Sequence, residues 1–144
     1  MRRMSSTSPA LVVLEFVDAI NARDSKRLAA LMTLDHRFVD SLGREHSGVD
    51  VMESAWEGYF ETFPDYEIRV DERYAADDVV YLFGECSGTL DRGGRRARAD
   101  HWSIPSAWRA TVSDGRVASW QVYGDTTPVQ RIMSRPDQRV RSGS

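Results

Sequence analysis

Val49-Asp50-Val51-Met52-Glu53-Ser54-Ala55-Trp56-Glu57-Gly58-Tyr59-Phe60-Glu61-Thr62-Phe63-Pro64 is followed, after Asp65, by Tyr66-Glu67-Ile68-Arg69-Val70-Asp71-Glu72-Arg73-Tyr74. In the first stretch Met52, Trp56, Tyr59, Phe60 and Phe63 recur at steps of three and four. Glu53, Glu57 and Glu61 make an opposite acidic stripe, which is the pattern of an amphipathic helix. Pro64 ends it. In the second stretch Tyr66, Ile68, Val70 and Tyr74 alternate with charged residues, as a half-buried strand requires. The change of period within one short segment sets the architecture: helices before it, strands after it, an α+β chain.

The N-terminal side is helical. Ser8-Pro9 offers an N-cap and a proline at the first helical position. Leu11, Leu14, Val17 and Ile20 then follow helical spacing to about Asn21-Ala22-Arg23, and Asp24 can cap a second helix carrying Leu28, Leu31 and Met32. A short strand is expected over Arg37–Ser41, then a turn through Gly43 and Gly48. On the C-terminal side, strands are expected over 79–90, from the Gly93-Gly94 tip to 112, and over 117–123, as an antiparallel meander. Gly84 and Gly88 inside the first of these signal a bend, a bulge or a close backbone approach. A short helix is expected from Pro128 to Met133. The domain spans 9–133, with 1–8 and 134–144 read as disordered tails.

The chain has 144 residues, 41% hydrophobic and 28% charged, enough for one domain with a core of its own. Acids outnumber bases by 22 to 19, which speaks against a nucleic-acid binder, since affinity there comes from neutralised phosphates. The bases are arginines apart from Lys26, and Arg92, Arg95, Arg96 and Arg98 cluster near Gly93-Gly94. That cluster reads as a solvated hairpin tip or an anion-binding loop. No apolar run reaches the ~18–20 residues of a membrane span. Met1–Pro9 lacks the apolar block of a signal peptide, so a soluble cytoplasmic protein is expected.

Among possible chemistries, no glycine-rich loop opens a helix, so nucleotide binding has no support. His36, His46 and His101 lack metal-ligand spacing and Cys86 is the single cysteine, so neither a metal nor another cofactor is expected. Cys86 reads as a small buried residue. Asp40 stands out in Phe38-Val39-Asp40-Ser41-Leu42-Gly43, because it shares a strand face with Phe38. Among aromatics its pKa would rise and it could act as a general base. Alternatively it bonds the backbone N–H groups of the following turn. Asp125 suits a helix cap or a cavity mouth. Arg109 could pair with Asp40 or Glu85, or extend to solvent. Trp56, Tyr59, Phe60, Phe63, Trp102, Trp108, Trp120 and Tyr123 exceed what a small core needs, so some are expected to wall a ligand pocket.

Phe16-Val17-Asp18-Ala19-Ile20-Asn21-Ala22-Arg23-Asp24, Phe38-Val39-Asp40 before Gly43, Ser47-Gly48 opening helix three, and Asp114-Gly115-Arg116-Val117 leading to Trp120 resemble the nuclear-transport-factor-2-like superfamily, SnoaL-like type. The resemblance covers about 9–133. It implies a cone, three helices packed on a curved antiparallel sheet as in ketosteroid isomerase and cystatin, and a homodimer through the outer sheet face. It places Asp40 where ketosteroid isomerase keeps its proton-shuttling Asp. The helix-one Tyr of that enzyme is Phe16 here, and its second oxyanion-hole Asp falls at or near Ala107. An oxyanion hole without both donors loses several kcal/mol of transition-state stabilisation, which argues against steroid isomerisation. The related epoxide-hydrolase pattern resembles the chain at Trp120 but has Val122 in place of its catalytic Asp.

The expected function is cofactor-free proton transfer (isomerase, cyclase or dehydratase) on a hydrophobic carbonyl-bearing metabolite. A non-catalytic ligand-binding or dimeric interaction module is the alternative. Asp40 is the expected base. Phe16, Phe38, Trp56, Tyr59, Phe60, Phe63, Trp102, Arg109, Trp120 and Val122 are the expected ligand contacts. Tyr59, Trp102, Trp120 and His101 are candidate donors to a developing oxyanion.

Overall fold

A computed structural model describes residues 8–136; the expected tail segments 1–7 and 137–144 lie outside the described residues. Helix α1 (Pro9–Asn21) is followed by α2 (Ser25–Ala30), strands β1 (Met32–Val39) and β2 (Glu45–Ser47), and helix α3 (Val49–Thr62). Strands β3 (Glu67–Ala76), β4 (Val79–Thr89), β5 (His101–Ser113) and β6 (Arg116–Gly124) then lead to helix α4 (Thr127–Ser134). The six strands form one curved sheet in the order β2-β1-β6-β5-β4-β3. The fold is α+β, with the helices against the inner face.

Local chemistry accounts for the boundaries. The Ser8 hydroxyl accepts from Leu11 N and Pro9 occupies the first turn of α1. The Asp24 carboxylate accepts from Arg27 N at the start of α2. At the end of α1, the Asn21 amide donates to Ile68 O at 2.9 Å and accepts from Ile68 N at 2.8 Å. Arg23 donates to Tyr66 O. Asn21 thus hydrogen-bonds like a strand residue along the edge of β3, which would otherwise leave unpaired backbone groups. Asp114 and Gly115 both take positive φ (51° and 75°), as a two-residue hairpin turn between β5 and β6 demands.

Three boundaries differ from expectation. Strand β1 starts at Met32 and lies parallel to β6, with Phe38 opposite Trp120; only β3 to β6 form an antiparallel meander. Glu45–Ser47, expected within a turn, pair with β1 as β2. Strand β5 begins at His101, well past the glycine tip. Before it, Asp100 is buried and draws the Arg92 guanidinium to 2.9 Å, while Arg92 also donates to Ile132 O. The arginine-rich segment therefore folds over α4 instead of continuing the ladder. Ser134 closes α4, and Arg135 donates to Asp100 and to Ala99 O.

The core lies between the helices and the inner face of the sheet. On β5 the even-numbered residues Trp102 to Val112 are buried. Gly84 matters to the sheet's shape: β3 bulges between Val70 and Glu72, and a Cβ on Gly84 would stand 1.8 Å from Arg69 O. Gly88 similarly admits the Trp102 ring and Phe63. No helix among the described residues is long and apolar enough to cross a membrane.

Candidate active site

Between α3 and the inner sheet lies a cavity of about 260 Å³. It is lined from β1 and its following turn by Phe38, Asp40 and Ser41, and from α3 by Met52, Ala55, Trp56 and Tyr59. Tyr66, Cys86, Ile104, Val122 and Thr126 complete the wall. Strand periodicity explains the selection: Phe38 and Asp40 share a face, and Ile104 pairs in register with Cys86. Edge-to-face contacts join Phe38 to Trp56 at 6.1 Å, Trp56 to Tyr59 at 5.9 Å, and Tyr59 to Tyr66 at 4.9 Å. These geometries suit aromatic quadrupoles.

The expected ligand contacts divide into two sets. Phe38, Trp56, Tyr59 and Val122 line the cavity. Phe16 and Trp120 do not: both are fully buried and meet at 4.9 Å in the core beneath α1. Phe63 and Trp102 pack edge to face at 5.4 Å, and Phe60 lies behind Trp56 at 5.5 Å; none of these three lines the cavity. Arg109 sits between the inward-facing Trp108 and Ala110, so it points to the outer face, level with Tyr81 and Gln121. It pairs with neither suggested acid, since Asp40 pairs with Arg44 and Glu85 with Arg69.

Asp40 requires the main correction. Its Oδ1 accepts from Leu42 N (2.9 Å) and Arg44 N (3.0 Å), and its Oδ2 from Arg44 Nε (3.0 Å). Partial desolvation pushes the carboxyl pKa up. The two backbone donors and the Arg44 guanidinium outweigh it and hold the group below its ordinary value. The expected rise does not occur, because the turn that places Asp40 at the cavity also solvates it. A carboxylate has about four acceptor positions, so one on Oδ2 remains, on a side chain 22% exposed.

Asp125 accepts from Thr127 N and Oγ1 at the start of α4, and its neighbour Thr126 lines the cavity instead. His101 lies outside the cavity lining, its Nδ1 2.8 Å from the Thr89 hydroxyl, which donates to Asp65. His36 is fully buried against Phe16, with Nδ1 2.7 Å from Val117 O. Among the described residues no group of three or more His, Cys, Asp or Glu could hold a metal ion.

Tyr66 and Cys86 were not among the expected ligand contacts, although Tyr66 opens the alternation that carries Ile68 inward. Both line the cavity, and burial pushes the Tyr66 hydroxyl well above its ordinary value. Cys86 Sγ lies 3.2 Å from Ser106 Oγ, which donates to Ile104 O. Burial pushes the Cys86 thiol up, away from a reactive thiolate. The sequence cue was the pairing of small and polar residues across strands, which needs a register that periodicity alone does not supply.

A curved sheet wrapped round a long helix, with a largely apolar cavity that one acid lines, defines the cone-shaped class that includes ketosteroid-isomerase-like and cystatin-fold proteins. Residues 13–120 match the SnoaL-like domain family, and the chain belongs to that family. Solved structures share its fold. A proposed SnoaL-like polyketide cyclase from Jannaschia sp. CCS1 has TM-score 0.76 at 20% identity, over 95% of this chain and 100% of that one. A protein with a ketosteroid isomerase-like fold from Catenulispora acidiphila, solved with trimethylamine, has TM-score 0.74 at 18% identity, over 90% and 96%. A nuclear-transport-factor-2-like protein from Burkholderia thailandensis has TM-score 0.74 at 18% identity, over 90% and 100%. No curated protein matches the sequence.

Proposed function

We propose that this protein is a cofactor-free enzyme of the SnoaL-like type that binds a compact carbonyl metabolite in the cavity and moves a proton with Asp40. The observation that carries this reading is the single acceptor position left on Asp40 Oδ2, on the one carboxylate that lines the cavity among the described residues. A carboxylate held below its ordinary pKa is a weak base, so rate must come from an acidic substrate. A C–H flanked by two carbonyls meets that need. Asp40 takes the proton and the C–H electron pair moves onto a carbonyl oxygen as enolate. In isomerisation the proton returns to another carbon. In cyclisation the enolate carbon attacks a second carbonyl of the same molecule, and Asp40 protonates the new alkoxide.

The three hydrogen bonds to Asp40 also suit a second reading, a ligand-binding module in which the carboxylate only holds the turn. One experiment separates them. The protein should accelerate solvent-deuterium exchange at the acidic carbon of a cyclic β-keto ester, followed by NMR, and Asp40→Asn should lower that rate by about 100-fold or more. Equal rates for the two proteins would reject Asp40 as base and leave the binding module. As part of the same proposal the protein works as a homodimer through the outer sheet face, where Tyr81, Phe83 and Tyr123 are exposed.

A further inference from the structure

The cavity has a polar floor whose hydrogen bonds run in one direction. Ser106 Oγ spends its proton on Ile104 O, so it accepts from the Cys86 thiol at 3.2 Å. The thiol is thus committed to Ser106 and the Ser106 hydroxyl to Ile104 O. Tyr59 stands beside them, its ring 4.9 Å from that of Tyr66. Yet the Tyr59 hydroxyl makes no hydrogen bond to any described residue. It lies on the cavity wall and is not among the sealed polar atoms.

The other donors expected from the sequence fail on position; the Ser41 and Thr126 hydroxyls also line the wall, Ser41 beside Asp40 and Thr126 at the start of α4. The indole N–H groups of Trp102 and Trp120 are sealed from the cavity, and neither residue lines it. His101 is engaged with Thr89 outside it. Trp56 lines the wall, but its N–H is sealed. A hydroxyl facing an apolar space forfeits a hydrogen bond unless the occupant supplies an acceptor.

We propose that Tyr59 is the cavity's hydrogen-bond donor, holding a carbonyl oxygen of the bound ligand at the floor while the acidic end of the molecule lies towards Asp40. The ligand class follows: a compact, uncharged ketone with an apolar body. A cavity of about 150 Å³ holds benzene, so one of about 260 Å³ suits a fused bicycle. The proposal rests on the cavity being a ligand site, as in the proposed function, but not on Asp40 being a base. It also places the oxyanion donor on α3, in a chain whose helix-one position is Phe16.

The test compares 1-tetralone with tetralin, matched in shape and differing in the carbonyl, by tryptophan-fluorescence titration of the full chain. The wild type should prefer 1-tetralone by about threefold to tenfold, the worth of one neutral hydrogen bond. Tyr59→Phe should erase that preference, whereas Tyr66→Phe and Asp40→Asn should keep it. Equal binding of the two probes by the wild type, or a preference surviving in Tyr59→Phe, would overturn the proposal. Binding of neither probe would overturn the cavity reading and the proposal with it. Should Tyr59→Phe fold poorly, the carbonyl stretch of carbonyl-labelled 1-tetralone on the wild type decides. A shift to lower frequency than in hexane is expected, and an unshifted band overturns the assignment.

Discussion

His36 on β1 and Asp40 just past its end stand four residues apart, and their surroundings push their pKa values down for opposite physical reasons. Donors hold the Asp40 carboxylate charged; burial keeps His36 neutral. For His36 desolvation is the largest influence, outweighing the Val117 carbonyl and the Asp35 charge, which both favour the imidazolium. Below the unfolded value of 6.5 the unfolded chain takes up a proton that the native state refuses. Stability therefore falls as pH drops from about 7 towards 5, with the unfolded state binding more protons. Urea midpoints across that range should fall more steeply for the wild type than for His36→Asn; parallel slopes would remove His36 as the cause. Asp40 acts in a lower window. Its contribution is complete above the ordinary value of 3.8 and disappears as pH falls through the lowered native pKa.

At the scale of elements, the bulge of β3 and the glycine facing it form one device. Strand β4 carries no side chain where the Arg69 carbonyl leans in, so the sheet can bend round α3 and leave the cavity open. Gly84→Ala would force backbone against backbone. It should cost ~2 kcal/mol or more in chemical denaturation, whereas Gly58→Ala, with open space at its Cβ on α3, should be neutral or stabilising. An equal effect at both positions would mean that the bend does not depend on Gly84. Elements set by their own residues were legible: α1 from Ser8-Pro9 and its apolar spacing, α3 from its aromatic stripe. Those set by partners were not. Strand β1 extends back to Met32 because β6 lies beside it, and β5 starts late because Asp100 binds Arg92; neither partnership leaves a periodic trace.

For the whole molecule, the outer face of the sheet carries a row of Phe83, Ala107 and Tyr123 in register, with Tyr81 and Arg109 in the next row. Tyr74 adds its ring 6.0 Å from Phe83. In the proposed homodimer these rings leave water. Sedimentation of the wild type should give twice the chain mass, and Phe83→Glu combined with Tyr123→Glu should give a monomer. A monomeric wild type at its highest soluble concentration would reject the dimer. The site was legible in outline at this scale. Asp40, Phe38, Trp56 and Tyr59 could be singled out because each sits on a periodic face. Phe16, Trp102 and Trp120 were indistinguishable from cavity residues until the sheet's curvature showed which aromatics fill the core and which border empty space.

The parallel pairing of β1 with β6 has a consequence for synthesis. Phe38 and Trp120 are neighbours in space but roughly eighty positions apart in the chain, and contacts of such separation form slowly. A polypeptide leaving the ribosome exposes α3, with its row of aromatic rings, long before β6 emerges to hold β1 against it. The chain is therefore most open to aggregation during that interval, and the cavity, bounded by Phe38 on β1 and Val122 on β6, is closed only when the sixth strand of the sheet joins.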